Sequence, residues 1–142
     1  LARVSIAPDR TECAAELLAA EAQARTAKLG LWAYPAYVVR NPQTVARDVG
    51  TFQVVEGKVV SATLRGGHAY LDFGPDWHSD FTAEISPDDM ANFEQASVDP
   101  RGFAGKNVRV RGWVEQRDGP QMALTNPQSI EIIADLPSRP AK

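Results

Sequence analysis

The stretch TFQVVEGKVVSATLRGGHAYLDFGPDWHSDFTAEI, Thr51 to Ile85, decides the fold. Its first part, TFQVVEGKVVSATL, is one long β run interrupted at Gly57, where a bulge or sharp bend is predicted. Arg65-Gly66-Gly67 makes a turn, HAYLDF is a second strand and DFTAEI a third. Read with a period of two, Ala69, Leu71 and Phe73 share one face, and Phe81, Ala83 and Ile85 share the corresponding face of the next strand. His68, Tyr70 and Asp72 then point outward with Asp80, Thr82 and Glu84, while Asp76, Trp77 and His78 occupy the connecting turn.

Downstream, SPDDMANFEQA starts a helix, with Ser86 as cap, Pro87 at the first helical position and Asp88 and Asp89 at the positive end of its dipole. Met90 and Phe93 are spaced to plug one end of a barrel. NVRVRGWVEQ is a fourth strand, Asp118-Gly119 a hairpin turn, and PQMALTN…SIEII a fifth strand with a break expected at Pro127. Three strands, a helix and two strands give an α+β, mainly β fold: a closed five-stranded OB-type barrel (β-β-β-α-β-β) preceded by an N-terminal α-helix. Val55, Val59, Leu71, Phe73, Phe81, Ile85, Val108, Val110, Val114, Met122 and Leu124 are its expected interior.

The N-terminal segment APDRTECAAELLAAEAQARTAKLGLWA predicts a helix over Thr11–Leu29, capped by Asp9 or Thr11 and ended by Lys28 and Gly30. Its Cys13, Leu17, Ala20 and Ala24 form the expected apolar face, which must find a partner because a lone helix of this length is marginal in water. Docking over Trp113, or a homodimer through this helix, would supply one. The chain thus divides into a helical segment (1–35), a proline-containing linker (36–49), an OB domain (50–135) and a frayed, disordered tail (136–142).

Composition narrows the function. The chain has 142 residues, 44% of them hydrophobic, and no apolar run approaches the roughly 20 residues of a spanning helix. Cys13 is unpaired, which rules out an internal disulfide and a cysteine-based metal site. Residues 1–45 carry five Lys and Arg against four Asp and Glu, net +1; residues 46–135 carry eight against fourteen, net −6; 136–142 add +2, giving −3 overall. An acidic domain repels phosphate backbones at long range, which argues against a general DNA binder. The opening Leu-Ala-Arg, with no initiator Met and no signal-peptide pattern, predicts a piece of something longer.

Glu21, Ala24, Arg25, Gly30, Leu31 and Trp32, in LLAAEAQARTAKLGLWA, give this segment its character. It resembles the C-terminal helix of the thermonuclease (staphylococcal-nuclease-like) family, where an E-x-x-A-R run leads to a G-[LI]-W ending. The block Gly50–Ile133, with YLDFGPDW…DFT and VRVRGWVE, resembles the OB-type domain that follows such nuclease domains in some bacterial proteins. The resemblance implies a parent that is a calcium-dependent phosphodiesterase, secreted or periplasmic. Its calcium ligands and catalytic residues would lie upstream of the helix, so no catalytic residue, metal ligand or cofactor is assigned to this chain.

The cluster Asp72, Asp76, Asp80 and His78 admits several readings. Its spacing matches no metal-ligand loop, and catalysis would need two carboxylates with separated pKa values in one cleft. A third reading is a solvated face with an Asx-type turn, Trp77 folding over the barrel edge. A fourth is a surface for single-stranded nucleic acid, weakly bound, since OB barrels take oligonucleotides on strands two and three and between the first-second and fourth-fifth loops. Candidate contacts are Arg65 and Arg117 on those loops, Tyr70 and Trp77 for stacking, and Arg109, Arg111 and Trp113 outward on strand four. Against this stand cross-strand pairing of Arg109 and Arg111 with Glu56 or Glu115, and packing of Trp113 beneath the helix. The remaining function class is a structural or protein-interaction module that braces the nuclease domain or mediates self-association.

Overall fold

A computed structural model describes residues 3–7 and 9–134; the tail expected at 136–142 lies outside them. Seven strands form one sheet: β1 (Phe52–Lys58), β2 (Ser61–Arg65), β3 (His68–Asp72), β4 (Thr82–Ile85), β5 (Asn107–Arg117), β6 (Gly119–Ala123) and β7 (Ile130–Ile132). Along the hydrogen-bonded path the order is β1-β5-β6-β4-β3-β2, with β7 also on β5. All pairs are antiparallel except β4 with β6. This is the OB-type connectivity, with helix α2 (Pro87–Gln95) between the third and fourth strands of the five-strand scheme.

Five expected strands become seven because the first and last are each broken. The first breaks at Val59–Val60, not at Gly57. There the backbone changes sides: Val59 bonds Lys106 and Gly105, whereas Val60 N–H donates to Asp72 O. The ladder therefore does not close into a ring of hydrogen bonds. Its two ends, β1 and β2, are halves of one bent run, and the chain itself carries the sheet round. The last strand breaks at the 3-10 turn Pro127–Ser129, where Pro127 was expected to interrupt it.

Gly57 stays within β1, opposite Val108. A Cβ at this position would lie 2.4 Å from Pro42 Cγ and 3.0 Å from the Phe73 ring, so the residue is glycine because the preceding segment presses on the strand. That segment is tied down by main-chain bonds of Arg40 to Val54 and Glu56 and by an Arg40 Nε–Asp48 bond of 2.9 Å. Val45 reaches from it into the core.

All eleven residues expected inside the barrel are buried in one cluster, joined by Ala69, Ala83, Phe93, Phe103 and Ile130. Ser86 caps α2 by accepting from Asp89 N–H, and Phe93 with half-buried Met90 closes the barrel end.

The N-terminal helix, α1, spans Ala14–Thr26 and not Thr11–Leu29. Cys13 occupies the cap position at φ 63° without a side-chain cap, because residues before it are drawn into turns closed by Arg10 N–H to Ala7 O and Ala14 N–H to Thr11 O. At the other end Lys28 adopts φ 52°, and Leu29 N–H reaches Ala24 O at 2.8 Å, a Schellman ending. The buried face is Ala14, Glu21 and Ala24; of the expected face, Cys13, Leu17 and Ala20 are exposed. A carboxylate inside the stripe displaces the apolar pattern by about one residue.

Glu21 explains the shift. Its carboxylate accepts from Arg111 Nη1 and Nη2 at 2.6 and 2.9 Å, from Arg25 Nη1 at 2.9 Å and from Val4 N–H at 2.6 Å. Helix α1 thus docks on Arg111 of β5, while Ala24 and Trp32 pack on Val54 of β1 as a second, smaller core. Trp113, the expected docking partner, stays 61% exposed and meets the Phe52 ring edge-on.

Gly57→Ala is expected to lower stability by about 1–3 kcal/mol, the usual cost of overpacking. Urea denaturation checks this; a neutral change would mean that Pro42 does not press on β1.

Candidate functional site

A groove of about 380 Å³ runs over the outer face of β2, β3, β4 and β6. Thr63 and Arg65 from β2, His68, Tyr70 and Asp72 from β3, and Thr82 and Glu84 from β4 line it, because alternate residues of a strand face the same side. Trp77 from the 74–80 turn and Arg117, Asp118 and Gln121 from the β5–β6 hairpin complete the lining.

Four of the seven expected site residues meet here: Arg65, Tyr70, Trp77 and Arg117. The Arg65 guanidinium lies 5.2 Å from the Tyr70 ring centroid, within cation–π range. His68 stacks with Tyr70, their ring centroids 5.7 Å apart at an interplanar angle of 16°. Trp77 stacks on His78 and is 50% exposed. Arg117 is exposed, with a long 3.8 Å approach to Glu115.

The other three lie elsewhere. Arg109 pairs with Glu56 at 2.8 Å, directly across the β1–β5 ladder, as the cross-strand alternative anticipates. Arg111 points outward from the barrel but is 3% exposed, because α1 covers it and Glu21, rather than Glu56 or Glu115, takes its charge. Trp113 stands beside a separate depression lined by Ser5, Ile6 and Phe52. Strand alternation separates outward from inward residues, but which outward residues a helix covers depends on long-range docking.

The three aspartates do not converge. Asp72 accepts from Thr82 Oγ1 at 2.9 Å and from Ser61 Oγ at 3.2 Å. Asp76 accepts from His78 N–H and from the Ser79 hydroxyl, and Asp80 accepts from Asp76 N–H. Asp76 and Asp80 are thus the hydrogen-bonded frame of the turn that carries Trp77, while Asp72 ties β3 to β2 and β4. A Cβ on Gly119 would lie 2.7 Å from Asp80 O, so the β5–β6 hairpin abuts this turn.

The floor has its own bonding pattern. Glu84 Oε1 accepts from His68 Nδ1 at 2.5 Å and Oε2 from Gln121 Nε2 at 2.6 Å. Among the Arg, Lys, Asp and Glu side chains of the lining, two arginines face Asp72, Glu84 and Asp118, a formal balance of 2 − 3 = −1. Gln121, Thr63 and Asp118 were not singled out from sequence. Gln121 reaches the floor through the parallel β4–β6 pairing, which sets it opposite Thr82 and which no local pattern signals.

In sequence the chain matches no protein-family model and no curated protein. In structure it is similar to an aspartyl-tRNA synthetase from Entamoeba histolytica at TM-score 0.52 and 11% identity, over 74% of this chain and 23% of that one. An asparaginyl-tRNA synthetase from Pyrococcus horikoshii gives 0.46 and 20%, over 70% and 24%. The S. pombe Stn1–Ten1 complex gives 0.42 and 20%, over 59% of each chain. The chain spans about a quarter of the synthetases it matches. The Entamoeba likeness agrees with the OB-type topology and is a likeness of fold alone.

The His78 backbone N–H, followed by the Ser79 hydroxyl, holds the Asp76 carboxyl below the usual aspartate range. A lowered folded-state pKa means that the turn's support is present above the ordinary aspartate value and is lost as pH falls through the lower folded one. Acid titration followed by NMR should therefore loosen the 74–80 amides before the barrel unfolds, and Asp76→Ala should do so at neutral pH. Unchanged amide exchange in the variant would contradict this.

Proposed function

We propose that this chain is a nucleic-acid-binding OB-fold module that holds single-stranded nucleic acid in the β2–β3–β4–β6 groove. One observation carries the reading: Arg65, Tyr70, Trp77 and Arg117, drawn from four separate segments, line a single groove. Arginines at both rims can meet phosphates, and aromatic faces between them can stack bases, the combination that single-strand binding requires. The acidic floor makes binding weak and concentrates it on bases. With two phosphate contacts at about −0.7 each, the log–log salt dependence has a slope of only about −1.4.

The nuclease connection belongs to the same proposal. The E-x-x-A-R…G-L-W run supports an accessory module beside a nuclease-like domain, itself without catalytic residues. A second reading, a brace for such a domain, is favoured by the buried Glu21–Arg111 pair, which fastens the segment resembling the nuclease terminus to the barrel. Exposed Cys13, Leu17 and Ala20 would be the face open to the nuclease domain or to self-association.

Titration of a labelled single-stranded oligonucleotide at low salt tests the binder. Stacking is worth about 1–3 kcal/mol per base, so Tyr70→Ala should weaken binding roughly tenfold. Trp113→Ala, outside the groove, should leave it unchanged. No binding near 100 μM protein, where about 5–6 kcal/mol would register, would leave the brace as the better account.

A further inference from the structure

The groove floor is centred on two carboxylates, Glu84 and Asp72. Three neighbouring donors are turned onto them: His68 Nδ1 and Gln121 Nε2 to Glu84, and Thr82 Oγ1 to Asp72. A carboxylate cannot donate, so His68 carries a proton on Nδ1, the atom that faces Glu84. Gln121, with one amide proton held by Glu84, keeps a second N–H and presents Oε1 as an acceptor. Each carboxylate oxygen has lone-pair capacity beyond its single partner. A ligand lying on Tyr70 therefore meets the Glu84 and Asp72 carboxylates, with cationic groups at Arg65 and Arg117.

From this we infer that the groove selects bases by their hydrogen-bond donors, taking guanine first and rejecting thymine and uracil. Guanine carries two adjacent donors on its Watson–Crick edge, N1–H and the N2 amino group, which match the paired oxygens of a carboxylate. Cytosine and adenine each offer one amino group. Thymine and uracil offer a single N–H between two carbonyls, which would face the carboxylates. Glu84 is the discriminating residue, since it lies at the floor's centre between His68 and Gln121. This inference rests on the single-strand reading above.

The test uses fluorescein-labelled octanucleotides: all-thymine, and the same strand with two central positions changed to guanine, inosine, cytosine or adenine. Guanine should bind about tenfold more tightly than all-thymine, the scale of one good bidentate base contact. Inosine, which lacks the N2 amino group, should lose most of that gain. Glu84→Gln, checked for folding by circular dichroism, should bring the guanine and thymine strands together. Equal binding of all strands by the unaltered protein, or a preference for thymine, overturns this inference and leaves the single-strand reading standing. Failure of every strand to bind overturns both.

Discussion

The buried pair of Glu21 and Arg111 is the constraint on which the rest of the arrangement depends. Taking two charges out of water costs several kcal/mol per ion unless geometry and further hydrogen bonds repay it. Here they do. The guanidinium grips the carboxylate with two nitrogens, and Arg25 and the Val4 amide fill further lone pairs. Beyond Arg111 the charges alternate through Glu131 and Arg109 to Glu56, so no sign accumulates along the seam. The N-terminal strand of chain is caught in the same network, since Arg111 also donates to Val4 O and Arg3 to Phe52 O.

That pair divides the outside of the barrel in two. Over β1 and the first half of β5, α1 and Trp32 cover Val54 and Arg111, and this face is structural. Around the barrel, β2, β3, β4 and β6 carry the groove, and the residues that line it are polar or aromatic rather than aliphatic. Arg111 is taken up by the helix, whereas Arg65, Tyr70, Trp77 and Arg117 lie clear of it. Under the proposed reading, binding at these four residues would not compete with docking of the helix. The acidic frame around Trp77 belongs to the same design: it holds a loop in place without basic residues, at the cost of repelling phosphates.

How far the sequence could be read follows from which forces are local. Period-two alternation places Leu71, Phe73, Phe81, Ile85 and the β5 valines in the core, because a half-buried strand has no other way to arrange its side chains. The α2 start is legible from Ser86-Pro87-Asp88, since capping involves near neighbours. Long-range choices are not legible in this way. Gly57 looks like a bend until Pro42 is seen against it, and the real bend falls at two valines with no turn signature. Glu21 stands outside the expected apolar face, and nothing local marks it for burial until Arg111, ninety positions away, gives it a partner. Within the site, the two loop arginines and the two aromatics were identifiable from OB topology, whereas Gln121 required knowledge of a parallel pairing.

Native-state hydrogen exchange of Arg111→Met tests the central claim, that this one pair holds the helix while the groove stands independently. Methionine keeps the length of the side chain and removes its charge, so Glu21 is left buried with Arg25 and the Val4 amide alone. Breaking a buried pair costs about 3–5 kcal/mol, and the low end applies because Arg25 remains. The account predicts that amides of α1 and residues 3–7 lose protection by about two orders of magnitude, while those of β2, β3 and β4 keep theirs. Undiminished protection in α1, or equal loss throughout the barrel, would contradict it.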